Sequence, residues 1–318
     1  MPEDLLLVRI GGEQVGRIAR RGSLLCLTYD DEYSRRPDAS PLSLSLPLAD
    51  GEIEDRRVEG WLSGLLPTTH ILKPSMRDLA DQSVNEHLCL EAARHCGLPA
   101  VATEMAVIAG HPVLVVRRFD RIDVGGTLRR VHQEDLHQAC GEPEVPLYQN
   151  DRGEGHSVQR LARLLADHSA DRDVDLRVFF DALVFNWVMC NTDGHSKNYS
   201  LLLAGGRVRL APLYDIWSMM PYDPHHYRSY SLAMSALSDR RIITAESKHA
   251  WEATARAVGL GASEGVERAE AIAQAAPEAV QRAVDELPSG LRILPVVQSL
   301  VTMSADRRRQ CLAGLAGA

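Results

Sequence analysis

Residues 185–215 read FNWVMCNTDGHSKNYSLLLAGGRVRLAPLYD, and three characters follow one another within them. The apolar start closes a helical pattern in which Leu176, Phe179, Phe180, Leu183, Val184 and Trp187 form one face, after an earlier face of Val158, Leu161, Leu164 and Leu165. A polar loop, NTDGHSKNY, comes next. SLLLA and RVRLAPL then flank Gly205-Gly206, and a glycine pair between two short apolar runs predicts a β-hairpin, because glycine takes the positive φ angles of a tight turn at little cost. The polar loop is thus anchored by a helix on one side and a hairpin on the other, and the hairpin returns Asp215 toward Asp193.

Asp193 and Asn198 stand five positions apart, and Asp215 follows across the hairpin. A kinase-type site places its catalytic base and two Mg²⁺ ligands at this spacing. Phosphoryl transfer needs a carboxylate to receive the hydroxyl proton and oxygen ligands to hold the metal on the phosphates. Magnesium keeps several waters, so one Asn and one Asp together with the phosphates of ATP suffice. Asp and Asn are also common in capped turns; here the company of His195, Lys197 and Asp215 between an apolar helix and a hairpin favours function. His195 reads as structural or phosphate-facing, since no second His or Cys stands at zinc spacing. Lys197 either offsets charge near the transferred phosphate or is solvated. Upstream, Lys73 ends the apolar strand TTHILKP (68–74) and fits the lysine that grips the α- and β-phosphates. Glu86, on the following helix, is its candidate ion-pair partner; plain surface roles are the alternative for both.

Farther out, LLLVRI, QVGRIARRG and SLLCLTYD alternate with period two around glycine turns and predict a small antiparallel sheet, which PLSLSLPLADG (41–51) continues. VEGWLSGLLP (58–67) predicts a short helix stopped at Pro67. Val84, Leu88, Leu90, Ala92 and Cys96 mark a helix closed by Gly97-Leu98-Pro99. EMAVIAG and PVLVVRRFDRI read as strands, and Gly125-Gly126 turns into a third. The alanine-rich remainder, with HAWEATARAVGL and PEAVQRAVDELP, is helical.

The composition bounds the function classes. Of 318 residues 45% are hydrophobic and 25% charged, ordinary for a globular protein, and no apolar run reaches the roughly 18 residues of a membrane helix. MPEDLLLVRI lacks the basic start and cleavage site of an export signal. Six scattered cysteines without a C-x-x-C pair read as reduced thiols in a cytoplasmic protein. A net charge of −8 argues against a broad nucleic-acid surface, so any DNA contact would be local or borrowed from a partner.

PLSLSLPL, GWLSGLLP, TTHILKP, LADQSVNEHLCLEAARHCGLP, VVRRFDR, QEDLHQACG, FNWVMCNTDGHSKNYSLLL and LAPLYDIWS, spanning most of residues 5 to about 235, resemble in order the signatures of the HipA-like toxin serine/threonine kinases. The resemblance implies an α+β, two-lobed protein-kinase-like fold: a small N-terminal β-rich subdomain over residues 1–67, then a kinase-like domain over 68–318, with N-lobe strands and helix to 135 and a mostly helical C-terminal lobe from 136. It implies ATP and Mg²⁺ as cofactors, Asp193 as catalytic base, Asn198 and Asp215 as metal ligands, and Lys73, Glu86, Arg118, Phe119, His195 and Tyr214 about the nucleotide. Arg117, Arg118 and Phe119 fall on the segment that links the lobes along the adenine, where family members often carry Glu at the place of Arg117. The implied partners are a HipB-like helix-turn-helix antitoxin, a protein substrate in the translation apparatus such as glutamyl-tRNA synthetase, and DNA only through the antitoxin.

One departure is large. Where the family pattern carries several dozen further residues, including a glycine-rich loop over the phosphates, GLLP (64–67) runs straight into TTHILKP, and the glycine pairs elsewhere read as hairpin turns. Three readings follow: a HipA-like kinase, a pseudokinase that binds an antitoxin, and a small-molecule or lipid kinase, which shares D-x-H-x-x-N but not the N-terminal signatures.

Overall fold

The structure is a computed structural model that describes residues 5–10, 13–21, 24–37, 39, 41–42, 46–54, 69–76, 78–108, 111–141, 146, 148, 156–234, 243 and 247–317. The chain divides into two compact units, Met1–Thr68 and Thr69–Ala318.

In the first unit β1 (Leu5–Ile10), β2 (Glu13–Arg21), β3 (Leu24–Tyr29) and β4 (Glu52–Glu54) form one antiparallel sheet in sequential order, with a short helix α1 (Asp31–Ser34) after β3. Alternation puts Val8, Ile18, Leu27 and Tyr29 into a core that Leu42 and Leu46 complete, and a register shift beside Val8 buries Val15 there as well. Gly16 is needed where β2 meets β3, since a Cβ there would lie 2.5 Å from the Thr28 carbonyl oxygen. The described part of PLSLSLPLADG is not the further strand expected: only Leu46 makes a bridge, and the tyrosine hydroxyl of Tyr29 takes over, donating to the Leu46 carbonyl (2.6 Å) and accepting from the Leu42 amide (2.9 Å). Two prolines without amide donors explain why a ladder gives way to these contacts. The expected helix at 58–67 and the Pro67–Thr68 junction lie outside the described residues.

The second unit begins with β5 (His70–Pro74), followed by α2 (Gln82–His95), β6 (Thr103–Ile108) and β7 (His111–Arg117), in a sheet of order β5-β7-β6. PVLVVRRFDRI is not one strand. It breaks after Arg117, and β8 (Arg121–Val124) pairs with β9 (Thr127–Arg130) around Gly125 and Gly126, both at positive φ. The break has an electrostatic cause: Asp120, 2% exposed, is held by Arg118 through two 2.8 Å hydrogen bonds, by Arg121, and by Arg130 at 3.8 Å. Burial works against its carboxylate, and the arginines outweigh burial and hold its pKa below the ordinary value.

β10 (His132–Asp135) leads into α3 (Leu136–Ala139), whose Asp135 and Gln138 close a reciprocal capping box. α4 (Val158–His168) and α5 (Arg172–Val188) follow, then β11 (Ser200–Ala204) and β12 (Arg207–Leu210), which join β10 in a sheet of order β10-β11-β12. α6 (Lys248–Val258), α7 (Ala262–Glu286), α8 (Ser289–Arg292) and α9 (Pro295–Ala316) complete the helical part, and α7 runs unbroken through Pro277. The sequence marks one apolar face on α5, but the helix is buried nearly all round from Ala182 to Val188. Its polar positions are accordingly partnered. Asp175 accepts from Arg209, from the Leu210 amide at 2.8 Å and from Ser169 at 2.7 Å, tying the helix start to the hairpin. Arg307, 1% exposed, donates to the Trp187 carbonyl at the other end, where a cation complements the helix dipole.

No helix among the described residues is long and apolar enough to cross a membrane. Among the described residues none of the six cysteines forms a disulfide.

Candidate active site

Lys73 sits opposite Leu114 in the β5–β7 register, and Ile71 opposite Val116, so the strand pleat turns Lys73 to the sheet face whose Leu114 and Val116 enter the core. Its ammonium meets Glu86 Oε1 of α2 at 2.6 Å and Asp215 Oδ1 at 2.7 Å. The second oxygen of Asp215 accepts from Asn198 Nδ2 at 3.1 Å. Four residues from four separate segments thus share one hydrogen-bonded cluster.

The charges in it do not balance. Burial disfavours the Lys73 ammonium, yet Glu86 and Asp215 outweigh burial and raise its pKa above 10.5. Burial also raises the pKa of Glu86, which is 2% exposed at its side chain, against the attraction of Lys73 and with the Asp215 charge adding to the rise. Lys73 holds its proton because two carboxylates share it, and Glu86 holds one chiefly because burial disfavours its charge; two carboxylates to one ammonium leave the cluster short of positive charge. Among the described residues no three His, Cys, Asp or Glu side chains form a ready metal cage. Asn198 and Asp215 instead offer hard oxygen donors beside that deficit, a set that suits a small divalent cation sharing its other ligands with phosphates and water.

Asp215 adopts φ +59, a left-handed conformation uncommon outside glycine but tolerated by Asp. It is held there from the next turn of chain: Asn85 on α2, fully buried, donates to the Ser218 carbonyl at 2.8 Å and accepts from the Ser218 amide at 2.9 Å. The same helical turn therefore carries the lysine's partner and the clamp on the segment after Asp215.

The loop that carries Asp193 is held by amides and a phenol. Asn186 on α5 donates to the Tyr199 hydroxyl (2.9 Å) and accepts from Asn191 Nδ2 (3.0 Å); Asn191 Oδ1 then accepts from the Asp193 amide (3.2 Å). His195 N donates to the Asp193 carbonyl (2.8 Å) and Asn198 N to the His195 carbonyl (2.9 Å), bringing a single 3₁₀ turn, Ser196–Asn198, into place. Gly194 is required here, because a Cβ would lie 2.7 Å from Asn186 Nδ2.

Asp193 lies apart from the lysine cluster in its contacts. One carboxylate oxygen accepts a short hydrogen bond from the Tyr148 hydroxyl, and His195 Nε2 stands 4.0 Å away. The Tyr148 ring meets His195 edge to face at 5.4 Å between centroids. His195 Nδ1 is buried and finds no partner among the described residues.

A cleft of about 140 Å³ joins these parts on the side of Lys73. Ile71, Val101, Val116, Phe119 and Tyr214 give it an apolar wall, and Lys73, Glu86, Asp215 and Gln133 a polar end. Gln133 Oε1 is buried without a partner among the described residues, a vacant acceptor on that wall. Phe119 and Tyr214 approach to 5.7 Å between ring centroids, and the Tyr214 hydroxyl donates to the Lys197 carbonyl at 2.6 Å. The Arg118 side chain reaches the cleft already committed to Asp120, and Lys197 is exposed. Lys73, Glu86, Asn198 and Asp215 are therefore in direct contact, Arg118, Phe119 and Tyr214 line the cleft beside them, and Asp193 with His195 forms a second group. Sequence reasoning missed Asn85, Asn186, Asn191, Gln133 and Tyr148; a polar residue inside a wholly apolar helical turn is the signal at Asn186, whereas Asn85 stands among Gln82, Ser83, Glu86 and His87 and carries no such mark.

A family model described as HipA-like C-terminal domain matches residues 47–285. The protein named "Putative kinase Y4mE" of Sinorhizobium fredii is 32% identical over 252 residues, 77% of this chain and 58% of its own length. The serine/threonine-protein kinase toxin HipA of Shewanella oneidensis is 27% identical over 245 residues, 72% of this chain and 54% of its own length. The chain thus spans about half the length of these curated relatives. Among solved structures, HipA of Shewanella oneidensis MR-1, in complex with HipB and its operator DNA, superposes with a TM-score of 0.73 at 16% identity, covering 99% of this chain and 97% of the other. The Helicobacter pylori proinflammatory kinase CtkA superposes with a TM-score of 0.54 at 12% identity, covering 76% of this chain and 86% of the other. These matches bear out the α+β kinase-like fold read from the sequence.

Proposed function

The chain belongs to the HipA-like C-terminal domain family, and on that premise we propose that it is an ATP-dependent serine/threonine protein kinase of the toxin type. The observation that carries this reading is the cluster of Lys73, Glu86, Asn198 and Asp215, with Asp193 on the adjoining loop. In a kinase the lysine binds the phosphates while its glutamate partner holds it in place, and the two oxygen ligands hold Mg²⁺ on the phosphates. Here Lys73 bonds Asp215 directly, so with ATP bound Lys73 would turn to the phosphates, and Asp215 with Asn198 would hold Mg²⁺. Asp193 accepts the proton of the incoming hydroxyl. Gln133 and the apolar wall of Phe119, Tyr214 and Val101 suit the rest of the nucleotide.

The proposed partner is a HipB-like antitoxin, a reading supported by the Shewanella HipA complex with HipB and operator DNA, and DNA is reached only through it. The proposed substrate is a protein of the translation apparatus, with glutamyl-tRNA synthetase the first to test. A second reading, a chain that binds the antitoxin without transferring phosphate, is favoured by the direct run of GLLP into TTHILKP, where a glycine-rich loop would otherwise supply amide donors to the phosphates. Incubation with labelled ATP, Mg²⁺ and a translating extract separates the two. The kinase labels a protein, and Asp193→Ala lowers that labelling by about 10²–10⁴-fold, the usual weight of a general base. Absence of labelling together with absence of ATP binding by calorimetry favours the second reading instead.

A further inference from the structure

The Tyr148–Asp193 contact has a geometry that the proposed reaction gives to a different molecule. A catalytic carboxylate takes its proton from the acceptor hydroxyl, which must donate a hydrogen bond to it before transfer. In this chain the donor is the phenol of Tyr148. Its ring packs against His195, two residues beyond Asp193, while Tyr148 itself stays 46% exposed. The contact joins residues 45 apart in sequence, so it is not a product of local turn geometry.

We propose that Tyr148 occupies the acceptor-hydroxyl position of the active site, so that a substrate serine or threonine must displace it to reach Asp193. This rests on the kinase reading above. Two features fit an internal occupant in place of a fixed structural bond. Among the described side-chain contacts, Tyr148 is held only by Asp193 and His195, both of which belong to the site. Its proton is also retained: burial, then the hydrogen bond and charge of Asp193, push the phenol up to about 12, so at neutral pH it presents a neutral hydroxyl, as a substrate would. The acceptor subsite so defined consists of the Asp193 carboxylate, the edge of His195 and the open side from which Tyr148 is exposed.

The contact and its role are tested separately. Tetranitromethane nitrates phenolates, so peptide mapping after treatment of the full chain reads the state of Tyr148 directly. Asp193→Ala should speed nitration of Tyr148 several-fold and leave the other tyrosines unchanged; an unchanged rate overturns the proposal whether or not the chain is a kinase. For the role, transfer from ATP to dephosphorylated casein is compared in wild type, Tyr148→Phe and Tyr148→Ala. A bound competitor that must leave lowers apparent acceptor affinity by the fraction of open sites, so both variants should lower KM for casein by about tenfold, the weight of one hydrogen bond to a charged group, with kcat and KM for ATP unchanged. An unchanged KM for casein in an active wild-type chain overturns the proposal and leaves the kinase reading standing. No transfer from any of the three to casein or to the translating extract, with nitration behaving as expected, overturns the kinase reading and with it the acceptor role, leaving only the contact.

Discussion

Two carboxylates read from the same stretch of sequence sit in contrasting surroundings. At Asp215 both oxygens are taken by protein, one by Lys73 and the other by Asn198, and the following turn is clamped by Asn85 through Ser218. At Asp193 the backbone is fixed by Asn191 and Asn186, but the carboxylate itself is met by one half-exposed phenol, with His195 at 4.0 Å. The difference matches the proposed division of labour. A site for metal and phosphate gains from having its charged groups gathered before the ligand arrives, so that within the cluster only the Lys73–Asp215 bond has to be exchanged. A site for a protein hydroxyl must exchange one occupant for another.

The contrast can be broken first by Lys73→Met. Glu86 would be left buried beside Asp215 with no cation, and loss of one partner of a buried ion pair is strongly destabilising; with Lys73 itself partly exposed, a loss of about 2–3 kcal/mol in urea unfolding is expected. Tyr148→Phe should change the same measurement by no more than about 1.4 kcal/mol, the equivalent of a tenfold occupancy of the acceptor position. Equal effects would erase the distinction between a built and an exchangeable side.

Next in size is Asn85→Ala, which leaves the Ser218 amide and carbonyl unpaired in the interior at a cost of about 1–3 kcal/mol. Because Asn85 touches neither Lys73 nor Asp193, its catalytic signature should be a higher Mg²⁺ requirement with an unchanged KM for the acceptor. A change in acceptor KM alone would place Asn85 on the wrong side of the comparison.

The smallest effect concerns pH. Asp135 is pushed up to about 6, first by burial, against the Gln138 amide and the charge of Lys197. A carboxyl whose folded pKa lies above its unfolded value favours the folded state while protonated, so this contribution is full below about pH 3.8 and is lost as pH rises through about 6. Asp135→Asn keeps a capping oxygen without the charge, and should raise Tm at pH 7.5 by a few degrees, about 1 kcal/mol, with about a third of that rise left at pH 4.5. A Tm that falls at pH 7.5 would mean that attraction to Lys197 exceeds the burial penalty.

Much of this arrangement was legible because it rests on local pattern. Period-two runs gave β1–β3, the glycine pair gave the β11–β12 hairpin, and the spacing from Asp193 to Asn198 to Asp215 pointed to one site. Lys73 and Glu86 could be paired because a strand followed by a helix brings them together within 13 residues. What stayed hidden depends on contacts between distant segments. The break in PVLVVRRFDRI comes from three arginines converging on one buried aspartate, one of them on the next strand. Asn85 reaches Ser218 across 133 residues, and the partners of Asn186, Tyr199 and Asn191, meet it only once the loop after α5 folds back. The alternating letters of PLSLSLPL suggested a strand, but a tertiary hydroxyl from Tyr29 satisfied the backbone instead.

The bond between Lys73 and Asp215 spans 142 residues. On a ribosome adding about 5–20 residues per second, the lysine is made some 7–28 s before the aspartate. Through that interval the growing chain can pair Lys73 with Glu86 but has no residue to complete the cluster. Competence arrives late in synthesis. In refolding, where long-range contacts close slowly, binding of ATP should accordingly return after helical content does.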